Sequence, residues 1–269
     1  MKGKEITITF SEWFYNAFPL ADTLLVDDTK NHSTDKTKKK YELTSEATQV
    51  NGHILYRIKA LRDFEGVKAG ALGGFIETEN NLSQNDNCWI YGDAKVYGNS
   101  EVYGNAKVYN KSQVFDNAKV FGNAKIFNNV SVYDNAKVYG DAVVFDDVRV
   151  YEDAQVFGNA NVRDRALIGD KALVYGNTYI FGYATILGNA VINANSDYIV
   201  FKNWWSSGRY FTWTRSNNMW KVGCFYGTGQ ELVDKAYEDS EESGREYQRI
   251  VNYVQDILGL PHIEPNHNN

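Results

Sequence analysis

From Ile90 to Asp197 the hydrophobic and polar positions repeat every six residues, beginning IYGDAK, VYGNSE, VYGNAK and ending IFGYAT, ILGNAV, INANSD, eighteen hexads without an insertion. The first position is Val or Ile in all eighteen, and the fifth is Ala, Ser, Thr or Val in all eighteen. A six-residue period is neither the period of an amphipathic helix nor the plain alternation of a meander strand. It fits a chain that makes a short strand, turns, and repeats, so that each coil pairs its backbone with the coils above and below. The β-branched first residue suits an inward strand position. The small fifth residue stands two before the next Val or Ile and shares its inward face. Gly-Asn, Gly-Asp and Asp-Asn at positions three and four supply turns, because Gly and Asn accept positive φ at low cost.

The repeat resembles the hexapeptide-repeat, left-handed β-helix proteins, whose signature is an aliphatic residue, turn residues and then a small one. The resemblance covers about 40% of the chain. It implies three hexads per triangular coil, so that the eighteen hexads make six coils about 29 Å tall at the usual strand spacing and the whole prism six to seven coils, the left hand, and a homotrimer. Residues 54–93 resemble the lead-in of an uncharacterised bacterial and phage subgroup. In this register Cys88 takes a small inward position, Trp89 the outward one after it, and the coil begins near Phe75 with one irregular turn. The fold class is therefore an all-β prism.

The flanks read differently. Within a β-rich N-terminal cap, residues 1–75, ITITF (6–10) alternates like a strand, Ser11 caps a helix through Phe18, and Lys30 to Lys40 is a loop. Asn51-Gly52, between YELTSEATQV and HILYRIKAL, is a type I′ hairpin signal. The prism occupies 76–197, and a small α+β module 198–260 holds a hairpin from 209–215 and 219–225. Thr228 with Glu231 and Ser243 with Glu246 match capping boxes for two helices, the second with an apolar face of Tyr247, Ile250, Val251, Val254, Ile257 and Leu258. The tail, 261–269, is polar and loose.

With three coil faces, position two forms vertical ladders, because it is Tyr or Phe in fourteen of eighteen hexads. The ladder lapses at Arg163 and Gly169, where position six turns from charged to Leu167, Leu173, Tyr179 and Val191, so the C-terminal module is expected to cover the last coils. Stacked rings support neighbouring rungs, and exposed apolar stripes mark subunit or partner contacts. The binding candidates are Tyr97, Phe115, Tyr133 and Tyr151 on one ladder, and Trp204, Trp205, Trp213 and Trp220 in the module.

Charge narrows the partner class. The chain of 269 residues carries 28 basic and 34 acidic side chains, a net of −6, which argues against nucleic acid as partner. No long apolar run marks a membrane span, and the N-terminus lacks a signal-peptide pattern. Cys88 and Cys224 stand apart in no metal-like spacing, so a reduced, cytoplasmic protein without disulfides is expected. Chemistry is sparse. The resemblance implies that an acyltransferase would place a His on the coils, yet His32, His53, His262 and His267 all lie outside residues 54–261. Asp146, Asp147, Glu152 and Asp153 form the densest acidic group, with Asp164 one coil beyond Asp146, and read as solvated turn carboxylates before a cation site. No catalytic residue, cofactor or metal is assigned. The expected function is a non-catalytic binding or scaffold protein, phage-encoded and inhibiting a host protein or defence complex. Acyl transfer and sequestration of a nucleotide signal between subunits are the alternatives.

Overall fold

The computed structural model describes residues 39–204 and 208–266. The expected strand at 6–10, the helix from Ser11, most of the Lys30–Lys40 loop, His32, Trp205 and His267 lie outside them. Residues 75–192 wind into a β-solenoid with seven rungs on one face, the first the end of the strand Leu72–Ile76, and six on each of the other two, the rest of the rungs being two residues long. Rungs pair in parallel at eighteen-residue spacing, as in Lys107 with Lys125 and Val108 with Ile126. The first turn is longer, Phe75 pairing with Lys95 and Leu82 bridging Val102, because two extra residues lie between Leu82 and Ile90. First-position Val and Ile and fifth-position Ala fill the axis and are fully buried almost throughout. The third position turns the chain with positive φ, on Gly104, Gly122, Gly140, Gly158 and Gly176 at one corner and mostly on Asn or Asp at the other two.

Between coils the N–H groups of the sixth, second and fourth positions donate to the next coil, while the ladder bond between the paired strands runs the other way. A sixth-position N–H donates to the fifth-position carbonyl of the next coil, as Lys107 does to Ala124 at 2.9 Å. The solenoid therefore ends with an excess of unpaired carbonyls at its N-terminal end and of unpaired N–H groups at the other, and each set needs a partner. Donors close the first end. Lys40 Nζ donates to the Asp86 and Cys88 carbonyls at 2.9 Å each. Asn81 Nδ2 donates to Gly98 and Ser100, and Arg57 Nη1 to Gly73 and Gly92. Acceptors close the other end: Asn195 Oδ1 takes the Tyr179 N–H, Thr212 Oγ1 that of Thr185, and Ser216 Oγ that of Val191, at 2.8, 3.0 and 2.7 Å.

The N-terminal hairpin forms as its turn predicts, β1 (Tyr41–Val50) and β2 (His53–Ala60) joined at Asn51 and Gly52, both with positive φ. β2 pairs antiparallel with β3 (Leu72–Ile76), so the hairpin prolongs one prism face. Trp89 corrects an expectation: it is buried, although its register is that of the outward Lys107. The loop after β2 covers it, with the Phe64 ring edge-on at 5.4 Å and the Tyr41 ring at 6.1 Å.

The C-terminal sheet has four antiparallel strands, Tyr198–Lys202, Tyr210–Thr214, Met219–Val222 and Phe225–Gly227. The hairpin between the middle pair was legible; the outer strands were not. Helix α1 (Gly229–Asp239) starts at the Thr228 capping box, with Glu231 Oε2 accepting the Thr228 N–H at 2.8 Å. Helix α2 (Glu241–Leu258) is capped by Ser240, whose hydroxyl accepts the Ser243 N–H, so the Ser243 box is displaced by three residues. Ser240 ends one helix and begins the next, which leaves no room for a later cap. Val251 and Val254 pack onto Phe211, Trp213, Trp220 and Val222. The module closes the last rung and touches the last coil at Tyr183, Leu187 and Gly188, but leaves Tyr179 54% exposed.

Candidate interaction surface

The side chains of the upper coils satisfy one another. Ladder rings stack nearly parallel at centroid separations of 4.5 Å (Tyr91–Tyr109) to 5.5 Å (Tyr133–Tyr151). Each such pair contributes about 0.5–1.5 kcal/mol beyond the area it buries. Burial raises the Tyr139 and Tyr151 hydroxyls to about 12. At the corners, amides form parallel columns: Asn99 donates to Asn117, Asn117 to Asn135, and Asn135 to Asp153, at 3.2, 3.1 and 3.0 Å. The column ends on a carboxylate because Asp accepts and cannot donate.

The acidic group dissolves in the same way. Asp146 and Asp147 share one corner and accept from Asn128 and Asn129, while Glu152 and Asp153 stand on another. The neighbouring Asp170 carboxyl, one coil on, raises the Glu152 carboxyl above its ordinary range. Among the described residues no three His, Cys, Asp or Glu side chains converge as metal ligands.

Of the sequence candidates, Tyr97 is buried beneath Leu55 and Val50 of the hairpin, while Phe115, Tyr133 and Tyr151 are half-buried in their stack. Trp213 and Trp220 are core residues of the module, and Trp204 is exposed. Tyr151 closes its ladder over Gly169, where a Cβ would come within 2.4 Å of the ring. At the top, the His53 imidazole lies 5.1 Å from the Tyr97 ring and bonds Glu77 Oε1 through Nδ1 at 2.9 Å. That bond, with one from the Gly98 N–H, holds the Glu77 carboxyl below its ordinary range.

A different surface appears where the hexad lapses, at the corner of the last two coils. Tyr179 and Phe181 are about half exposed. Arg163, replacing an aromatic residue, lies over the Phe181 ring at 5.7 Å. Arg165 lies over Tyr183 at 5.5 Å and donates to its hydroxyl at 2.9 Å. Tyr183 in turn stacks on Tyr210 of the C-terminal sheet at 4.3 Å, and Lys202 Nζ stands 5.8 Å from that ring. These residues were missed as a group, although each departure from the hexad, Arg163 at position two, Arg165 and Tyr183 at four, Tyr179 at six, was visible in the sequence. Their convergence with Tyr210 was not.

No family model matches the chain. A stretch of 38 residues is 50% identical to "Uncharacterized acetyltransferase YdcK" of Escherichia coli (strain K12), covering 14% of this chain and 12% of that protein. No helix among the described residues is long and apolar enough to cross a membrane. The eighteen-residue rung spacing and the Val and Ala axis make this chain a β-solenoid, and with that partial match they are consistent with the hexapeptide-repeat β-helix superfamily.

Proposed function

We propose that the protein is a non-catalytic binding scaffold that contacts a partner protein through the corner of its last two coils. One observation carries the reading: aromatic rings elsewhere on the prism are stacked on rings, whereas Tyr179 and Phe181 stand about half exposed and Phe181 lies under the Arg163 guanidinium. Tyr, Phe and Arg are the residue types enriched in protein interfaces. The resemblance to phage-encoded relatives gives the finer form, inhibition of a host protein, and the trimer of that superfamily gives the assembly. The test is solution mass followed by capture from host lysate with the wild type and with Phe181→Ser. A partner retained by the wild type and lost by the variant, with the fold intact by circular dichroism, supports the reading; equal capture by both refutes it.

A second reading, acetyl transfer, is favoured by the His53–Glu77 pair, in which a carboxylate orients an imidazole as in a general base. Half-exposed His53 is reachable from solvent. Acetyl-CoA binding by calorimetry and turnover abolished by His53→Ala would establish it; absence of acetyl-CoA binding removes it.

A further inference from the structure

The protein as a whole is acidic, but its charge is segregated. Residues 160–222 carry seven basic and three acidic side chains, whereas residues 223–266 carry three basic and nine acidic ones. Within the first segment Arg163, Lys171, Lys202, Arg209, Arg215 and Lys221 have no carboxylate within ion-pair distance among the described residues, and Arg165 has only Asp147 at 3.8 Å. Before residue 160 Lys39, Arg57, Lys59, Lys68, Lys107 and Lys119 are each paired with an acid, while Arg62, Lys95, Lys111, Lys125, Lys137 and Arg149 are not among the described residues. The C-terminal segment therefore differs in its net charge and in the rings beneath its cations. Three of the cations of the basic segment, Arg163, Arg165 and Lys202, lie over Phe181, Tyr183 and Tyr210. Cation and ring face attract, so the charge is held at the surface rather than swinging free in solvent.

We propose that this corner recognises an acidic segment of a partner protein, its carboxylates pairing with Arg163, Arg165 and Lys202 and an aromatic side chain packing on Tyr179 and Phe181. The inference rests on the protein-binding reading above and adds the chemistry of the partner. Guanidinium groups suit the role because they pair with carboxylates through two parallel N–H bonds while lying flat on a ring. Single-stranded nucleic acid would also meet rings and cations here. It needs a longer basic track, however, and a strand leaving the corner over the helical module would run along the most acidic part of the described chain.

The experiment is fluorescence anisotropy of the full chain with a labelled random Glu/Tyr copolymer, with an oligo(dT) of about 15 nucleotides as competitor probe. Expected are saturable copolymer binding that weakens as salt rises, a loss of about tenfold or more in Arg163→Glu/Arg165→Glu, and a change below about twofold in Lys125→Glu on the middle coils. Phe181→Ser, which leaves every charge in place, is expected to weaken copolymer binding as well. No binding, binding indifferent to the double variant and to Phe181→Ser, or tighter binding of the oligonucleotide overturns the proposal. So does a concentration-dependent dimer that the double variant abolishes, which would make the occupant a second copy. Lysate capture lost in Phe181→Ser but kept in the Arg variants would leave the protein-binding reading standing and sink the acidic partner alone.

Discussion

Replacing Lys40 with Met tests the idea that the solenoid's first end is closed by a buried ammonium. Lys40 is fully buried and its Nζ donates to the carbonyls of Asp86 and Cys88 at 2.9 Å and to the Cys88 thiol at 3.4 Å. Burial holds its pKa below the usual lysine value, so the charge has a solvation cost that Met would remove. Hydrogen bonds from a charged donor contribute about 1.5–3 kcal/mol each, and an orphaned buried carbonyl costs about 1–3 kcal/mol. Asp86 is partly exposed, so water can reach its carbonyl, whereas Cys88 is sealed. Set against the relief of desolvation, the expected net loss is about 2 kcal/mol. Hydrogen exchange resolved by segment reads it best, because repeat arrays open from their ends. Amides of Trp89, Tyr91 and Lys107 should exchange about 30-fold faster, the equivalent of that loss, while those of Thr185 and Val191 at the other end stay unchanged. Unchanged or slower exchange at Trp89 would show that the ammonium is a net burden and that the closure argument is wrong.

Three further outcomes follow from the same geometry. Gly122 has φ of 68° and a Cβ there would lie 2.9 Å from the Gly140 nitrogen; Gly122→Ala should cost about 1–2 kcal/mol, and Gly122→Asn less, since Asn128 and Asp134 hold equivalent corner positions, as urea midpoints would show. Glu77 has a depressed pKa, caused first by His53 and then by the Gly98 N–H, so its contribution is present above the ordinary glutamate pKa of about 4.3 and fades as pH falls through the lower folded value. Glu77→Gln should flatten the acid limb of a stability–pH curve, and an unaltered limb would contradict that assignment. Thr228→Ala removes the α1 cap and should cost about 1 kcal/mol in the C-terminal module, read from its thermal transition.

The sequence by itself determined the solenoid. Six-residue periodicity is local information, and once a Val or Ile and a small residue must point inward, the only consistent solution stacks one coil on the next. The Asn51-Gly52 hairpin and the Thr228 cap were legible for the same reason, since each depends on a few adjacent residues. Tertiary structure decided how the array ends. Nothing near Lys40 or Thr212 in sequence shows that one donates to Cys88 and the other accepts from Thr185, because those bonds join residues 48 and 27 positions apart. Trp89 follows the same logic: its register says outward, and only the loop carrying Phe64 makes it buried. The cation-and-ring corner is likewise a product of docking, for Tyr183 and Tyr210 meet only when the C-terminal sheet closes the last rung. A repeat specifies its interior through its period, but its two ends have no next coil, and their chemistry is set by whichever distant segments fold back to satisfy them.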